Sequence, residues 1–224
     1  MSPAQPHRAR LRPVRLPDVS LPAHLEAWEG PLGADAHCDG ALLQGVDAAG
    51  RRLGSLRLLE CAVEDCRLDE SGLHRARVTA STLVRVSAVG ADLSASEWAD
   101  VELRGCRLSG ARFTGARLDR VLLDGARLEQ ASFADAELTD VTLRGCALRD
   151  VDLSGARLRR VDLAGSDLDG VDLSGARLED VDLRGARLGE LRGLDGLAGA
   201  VVAPHQLVDL APSMAAHLGV RVEG

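Results

Sequence analysis

Six histidines, five cysteines and 34 carboxylates are the residues of this 224-residue chain that could do chemistry. Their spacing leaves most of them little to do. His7, His24, His37, His74, His205 and His217 are scattered, and none stands at metal-ligand spacing from another ligand. No Ser, Thr or Cys stands next to a histidine in a way that folding would bring together as nucleophile and base. All 27 basic residues are arginine, so neither a P-loop lysine nor a Schiff-base lysine is available, and no G-x-G-x-x-G or G-K-[ST] occurs. Carboxylate pairs such as Asp150 and Asp152 have Arg149 and Arg157 near them in sequence, the pattern of a solvated charged face. The cysteines show no C-x-x-C spacing. No enzyme activity, cofactor or metal is therefore expected.

The elements that must position these residues are set by a period of five. From Val151 to Leu188 the chain reads VDLSG ARLRR VDLAG SDLDG VDLSG ARLED VDLRG ARL. Neither an isolated helix nor an ordinary strand has that period, so the segment is a repeat architecture. From Leu43 to Leu188 the register gives 30 positions, of which 28 are Leu, Val, Phe or Trp, with Ala48 and Ala88 the exceptions. Two residues earlier runs a column from Ala41 to Ala186 that is Ala, Val, Cys or Ser, apart from Arg51 and Leu56. Two inward residues per five, with turn-prone residues between, describe a chain that bends after every unit around a narrow core.

This pattern resembles the pentapeptide-repeat family, whose motif is A-(D/N)-L-x-x. The chain departs from it by using Val nearly as often as Ala in the small column and Arg at least as often as Asp before the Leu. The resemblance implies an all-β repeat over residues 36–190: a right-handed quadrilateral β-helix of about 7–8 coils, one coil per 20 residues. Residues 20 apart should then stack about 4.8 Å from one another. Asp100, Arg120, Asp140, Arg160 and Asp180 alternate in sign at that spacing, as do Arg77, Glu97, Arg117, Glu137 and Arg157 before Arg177 breaks the rule. Stacked coils favour this, because opposite charges across neighbouring strands attract and like charges repel. Phe113 and Phe133 should stack in the core, and bulky Trp98 should face small Ala88 across its coil. Cys66, Cys106 and Cys146 recur every 40 residues, about 9.6 Å apart, beyond disulfide or shared-metal reach. With Cys61 they read as small buried hydrophobes of a reduced, cytoplasmic protein.

The flanks carry less pattern. Residues 1–19, with four Pro and four Arg, read as a flexible, weakly basic tail without a signal peptide or membrane span. Residues 20–35 are expected to cap the first coil with a short helix over Ser20–Gly30; Trp28 there could alternatively dock a partner. Residues 191–224 read as a helical C-terminal cap of two short turns starting near Pro204 and Pro212. By resemblance to family members that pair end to end, this module is also a candidate homodimer interface, with Leu207, Leu210, Met214 and Leu218 as its contacts.

Three functions follow for such a rod. The first is a rigid scaffold for an unidentified protein partner. The second is implied by resemblance to loopless actinobacterial members of the family that give fluoroquinolone resistance: a DNA-mimicking modulator of DNA gyrase, serving quinolone or toxin self-resistance. Its candidate gyrase-facing acids are Asp152, Asp162, Asp167, Asp169, Asp172, Asp180 and Asp182. Charge weakens that reading. Residues 91–190 hold 20 acids against 14 Arg, far sparser than duplex DNA at one charge per ~1.7 Å. The third is nucleic-acid binding through the basic tail, disfavoured by an acidic rod with no aromatic stacking platform.

Overall fold

A computed structural model describes residues 11–221. The chain forms a right-handed parallel β-solenoid of about eight turns with a single short α-helix at its C-terminal end. The strands Arg77–Val84, Glu97–Arg104, Arg117–Asp124 and Glu137–Arg144 stack in parallel with partners 20 residues apart. Each of the four runs through a corner, so one sheet wraps two adjacent walls. The other two walls are joined mainly by single bridges, such as Arg107↔Arg127 and Asp152↔Asp172.

Why the chain bends every five residues is visible at the corners. Every residue numbered by fives from Asp35 to Gly185 has a left-handed backbone, with φ between 46° and 81°, and seventeen of these are not glycine. A left-handed non-glycine residue costs about 1–2 kcal/mol. The cost is met because both flanking inward positions are buried and the corner amides are paired: Gly105 N–H donates to the Asp124 carbonyl at 2.8 Å, Gly125 N–H to Arg144 at 2.9 Å. In the large column only Leu178 is less than buried; in the small column only Val46 and Arg51 are. Arg51 is exposed, which is how an arginine is tolerated there. Serine fits the small column because its hydroxyl has a backbone acceptor, as in Ser71 to Leu68 at 2.7 Å and Ser96 to Leu93 at 2.6 Å.

Inside the coil, Phe113 and Phe133 are parallel with ring centroids 4.7 Å apart. Trp98 tilts against Phe113 at 6.1 Å, and its indole N–H donates to Ser96 Oγ at 2.8 Å. Ala88 and Trp98 line the same small apolar void.

Both ends differ from the sequence reading. No helix forms over Ser20–Gly30. The chain there makes the two-residue strand Glu26–Ala27, paired in parallel with Ala41–Gln44, and Trp28 N–H donates to the Leu42 carbonyl at 2.9 Å. Eleven residues are too few for a helix to hold by itself, whereas the first coil's edge offers ready hydrogen-bond partners. Trp28 and Leu32 pack on the core from this end.

At the other end, a 3₁₀ turn at Leu194–Leu197 precedes one continuous helix, α1, at Gln206–His217. Pro204 lies just before it, but Pro212 lies inside rather than starting a second turn. The carbonyl that loses its donor is that of Val208, a residue 75% exposed, so water can take the place of the missing N–H. Helix α1 turns Gln206, Leu210 and Ser213 inward, at helical spacing.

Candidate interaction surface

The five described histidines are all exposed, and His217 lies 3.3 Å from Asp195; His7 falls outside the described residues. Among the described residues no three His, Cys, Asp or Glu side chains gather as a metal site. All five cysteines are free and buried. Cys66, Cys106 and Cys146 repeat one contact, each thiol donating to the carbonyl 23 residues earlier at 3.3–3.5 Å. Burial pushes the Cys146 thiol up to about 11, and burial with a neighbouring Cys61 does the same for Cys38, so these thiols do not ionise near neutrality.

The seven acids singled out for gyrase do not form one surface. Asp152 and Asp172 are bridge partners on one wall, Asp162 and Asp182 pair on a second, and Asp167 and Asp169 lie on a third. Asp180 sits at a corner. The coil carries successive fives to successive walls, so acids close in sequence part in space. Several are also engaged. Asp182 accepts from Arg184 Nη2 at 2.6 Å, and Asp167 accepts from both Arg187 and Arg149. Burial would raise the Asp167 carboxyl, but those two arginines outweigh it and hold the group below the usual carboxylate range. Asp162 and Asp172 accept from the backbone amides two residues on, both at 2.9 Å.

The C-terminal face is likewise only partly as expected. Leu210, expected among the outward contacts of that face, is 1% exposed and belongs to the cap's inner face. Leu207, Val208, Met214 and Leu218 face outward. Gln206, which the sequence did not single out, is the plug of the last coil. Its side-chain amide donates to the Leu183 and Ala186 carbonyls, both at 2.8 Å, and its oxygen accepts from Ala203 N–H at 2.7 Å.

The most developed surface lies along the corner of Asp100, Arg120, Asp140, Arg160 and Asp180. Arg160 grips Asp140 through two hydrogen bonds of 2.6 and 2.5 Å, and Arg120 grips Asp100 through two of 2.7 Å. The Arg160 and Arg120 hydrogen bonds hold the Asp140 and Asp100 carboxyls well below their usual range. Over this corner runs the N-terminal segment, expected to be a free tail through residue 19. Arg12 lies 3.6 Å from Asp180 and 3.8 Å from Glu179. The Arg15 amide donates to Asp140 Oδ1 at 3.1 Å, and the Asp18 amide to Asp100 Oδ1 at 3.2 Å. The Asp140–Arg160 pair is buried, with side chains 2% and 9% exposed. Leu122 and Thr142 point out of the coil yet are buried too. Residues 12–18 are the chain hydrogen-bonded along this edge.

Two family profiles match the chain: "Pentapeptide repeats (9 copies)" at residues 93–147 and "Pentapeptide repeats (8 copies)" at 146–185. Among curated proteins none matches. Similar solved structures include HetL, a pentapeptide repeat protein involved in heterocyst differentiation regulation in Nostoc sp. strain PCC 7120, at 22% identity. It covers 75% of this chain and 90% of its own, with a TM-score of 0.33. QnrB1, a plasmid-mediated fluoroquinolone resistance protein, is 20% identical over 88% of this chain and 96% of its own, with a TM-score of 0.40. A pentapeptide repeat protein of the Arabidopsis thaliana thylakoid lumen is 25% identical over 56% and 74%, with a TM-score of 0.38. The matched repeats and the left-handed corner at every fifth residue agree: this chain belongs to the pentapeptide-repeat family.

Proposed function

We propose that the protein is a non-enzymatic scaffold whose straight walls and edges hold other polypeptides. The observation that carries this reading is that one edge of the solenoid already holds an extended polypeptide, its own residues 12–18, through side-chain carboxylates spaced by the coil. A rigid frame supports such use, because its outward side chains are fixed in register over its whole length. The test is hydrogen exchange on the protein with a partner captured by affinity. Protection of outward wall or edge positions supports the scaffold; a captured partner that protects none of them refutes it.

The gyrase-modulator reading is the weaker one. Its acids lie on three walls and a corner, and arginines engage Asp167, Asp180 and Asp182. Titration into gyrase-catalysed supercoiling, with and without a fluoroquinolone, separates the two. Inhibition lost on reversing Asp162, Asp172 and Asp182 to Arg would restore DNA mimicry; no effect at tens of micromolar would end it. Pairing of two copies through α1 rests on the exposed Leu207, Val208, Met214 and Leu218. A light-scattering mass of 23.6 kDa at micromolar concentration would remove it.

A further inference from the structure

The contacts of residues 12–18 have a numerical regularity. Arg12, Arg15 and Asp18, three residues apart, meet Asp180, Asp140 and Asp100, two coils apart. Three residues of extended, polyproline-like chain advance about 9.3 Å. Two coils rise about 9.6 Å. The two repeats therefore stay in step, and an acid on every second coil presents one acceptor for each third residue of an extended strand. The intervening Arg120 and Arg160 do not compete for the strand, since each is turned onto its neighbouring acid. Pro13 and Pro17, which have no N–H, fall off the two positions whose amides donate, Arg15 and Asp18. Exposure follows the same beat: Leu11, Val14 and Pro17 are half-buried, with two exposed residues between each.

We propose that this edge is a docking groove for an extended, proline-containing, basic segment of another protein, and that residues 11–25 are its intramolecular occupant and must lift for the partner to bind. The groove selects an extended backbone by matching amides to Asp100 and Asp140, and a cationic side chain by Asp180 with Glu179. Apolar side chains on the third-residue beat match the half-burial of Leu11, Val14 and Pro17, on an edge whose neighbouring wall buries outward Leu122 and Thr142. The arm is held by the ion pairs of Arg12 and by two backbone hydrogen bonds to side chains, so a strand with better contacts can displace it. This deepens the scaffold reading by naming one surface and the chemistry it takes.

The test keeps the full chain. In the variant Arg12→Glu/Arg15→Glu, charge repulsion from Asp180, Glu179 and Asp140 should release the arm without altering the groove. The amides of Arg15 and Asp18, protected in the wild type, should exchange freely, while coil amides such as Gly105 and Gly125 stay protected. A fluorescent peptide with the sequence of residues 11–25 should then bind the variant at least tenfold more tightly than the wild type. The same peptide carrying both Glu substitutions should bind neither. Equal binding to the two proteins, or to neither, would overturn the proposal. So would continued protection of Arg15 and Asp18 in the variant. A doubling of mass for the wild type that is abolished by the peptide would assign the groove to the arm of a second copy instead. None of these failures bears on capture at the walls, which stands or falls on its own exchange map.

Discussion

Replacing Asp140 by Asn isolates what the covered edge does for stability. Asn keeps the shape and leaves an oxygen to accept from the Arg15 amide, but removes the charge that Arg160 grips at 2.6 and 2.5 Å. Arg160, only 9% exposed, then loses the one carboxylate it is hydrogen-bonded to and keeps only the neighbouring charges of Glu179 and Asp180. Removing one partner of a buried pair costs about 3–5 kcal/mol. The lower end, about 3 kcal/mol, applies here because a single extended segment provides the cover and can lift. The chain contains its own control two coils away, where Arg120 grips Asp100 in the same bidentate way at 2.7 Å but with side chains 32% and 20% exposed. Solvent screening reduces that pair to about 1 kcal/mol. For a chain of this size these losses correspond to a fall in Tm of roughly 6–12 °C for Asp140→Asn and 2–4 °C for Asp100→Asn. Calorimetry with hydrogen exchange at residues 137–162 reads both the size and the location of the loss. The apolar double variant Asp140→Leu/Arg160→Leu should recover most of it, since no unpaired charge remains. Equal losses at the two sites, or a loss below about 1 kcal/mol at Asp140, would refute the claim that the arm's cover sets the strength of the pair.

Other consequences are simpler to read. Asp65, Asp100, Asp140 and Asp182 have carboxyls depressed chiefly by hydrogen bonds from Arg85, Arg120, Arg160 and Arg184. A depressed folded pKa contributes stability above the unfolded value of about 3.9 and loses it as pH falls through the folded value. Thermal scans should therefore be flat between pH 6 and 5 and fall below about pH 4, with a shallower fall for Asp140→Asn. Gln206→Ala should cost about 1–3 kcal/mol, because it leaves buried backbone groups of the last coil unpaired, and fast exchange should appear at Ala203 before the central coils. Gly115→Ala should cost about 1 kcal/mol from its φ of 64° alone, as its Cβ would meet nothing within 4 Å. Gly72→Ala, in open space without a positive φ, should be neutral or slightly stabilising, and urea midpoints of the two compare them directly.

The coil was legible in the residues because its geometry is local and repeated. Leu153 buries itself for the same reason as Leu158, so one unit of five, counted along the chain, implies walls, corners and the 20-residue stack. The sign alternation from Asp100 to Asp180 was equally readable, since opposite charges 20 residues apart attract along that corner, although like charges stack elsewhere, as at Arg107↔Arg127 and Asp152↔Asp172. Three features were not. Whether Ser20–Gly30 forms a helix depends on an open edge at Ala41–Gln44 that exists only once the first coil has closed. Gln206 has no pattern of its own and acquires its role from three backbone groups brought to it by the last coil. The seven acids of the C-terminal coils are close in sequence, but four-sided winding carries them to three walls and a corner.

The position of residues 12–18 is the clearest division between the two levels. Their composition, proline and arginine with little apolar content, satisfies the usual signature of a free tail, and nothing within the segment demands order. Order comes from a match of two lengths, three residues of extended chain against two coils of sheet, and the second length exists only in the folded solenoid. The amino-acid sequence by itself determined the repeat, the core and the alternating charges, because each follows from neighbours five or 20 residues away. Only the tertiary structure decided which of those charges would be covered, since Arg15 and Asp140 are brought together by folding alone, 125 positions apart.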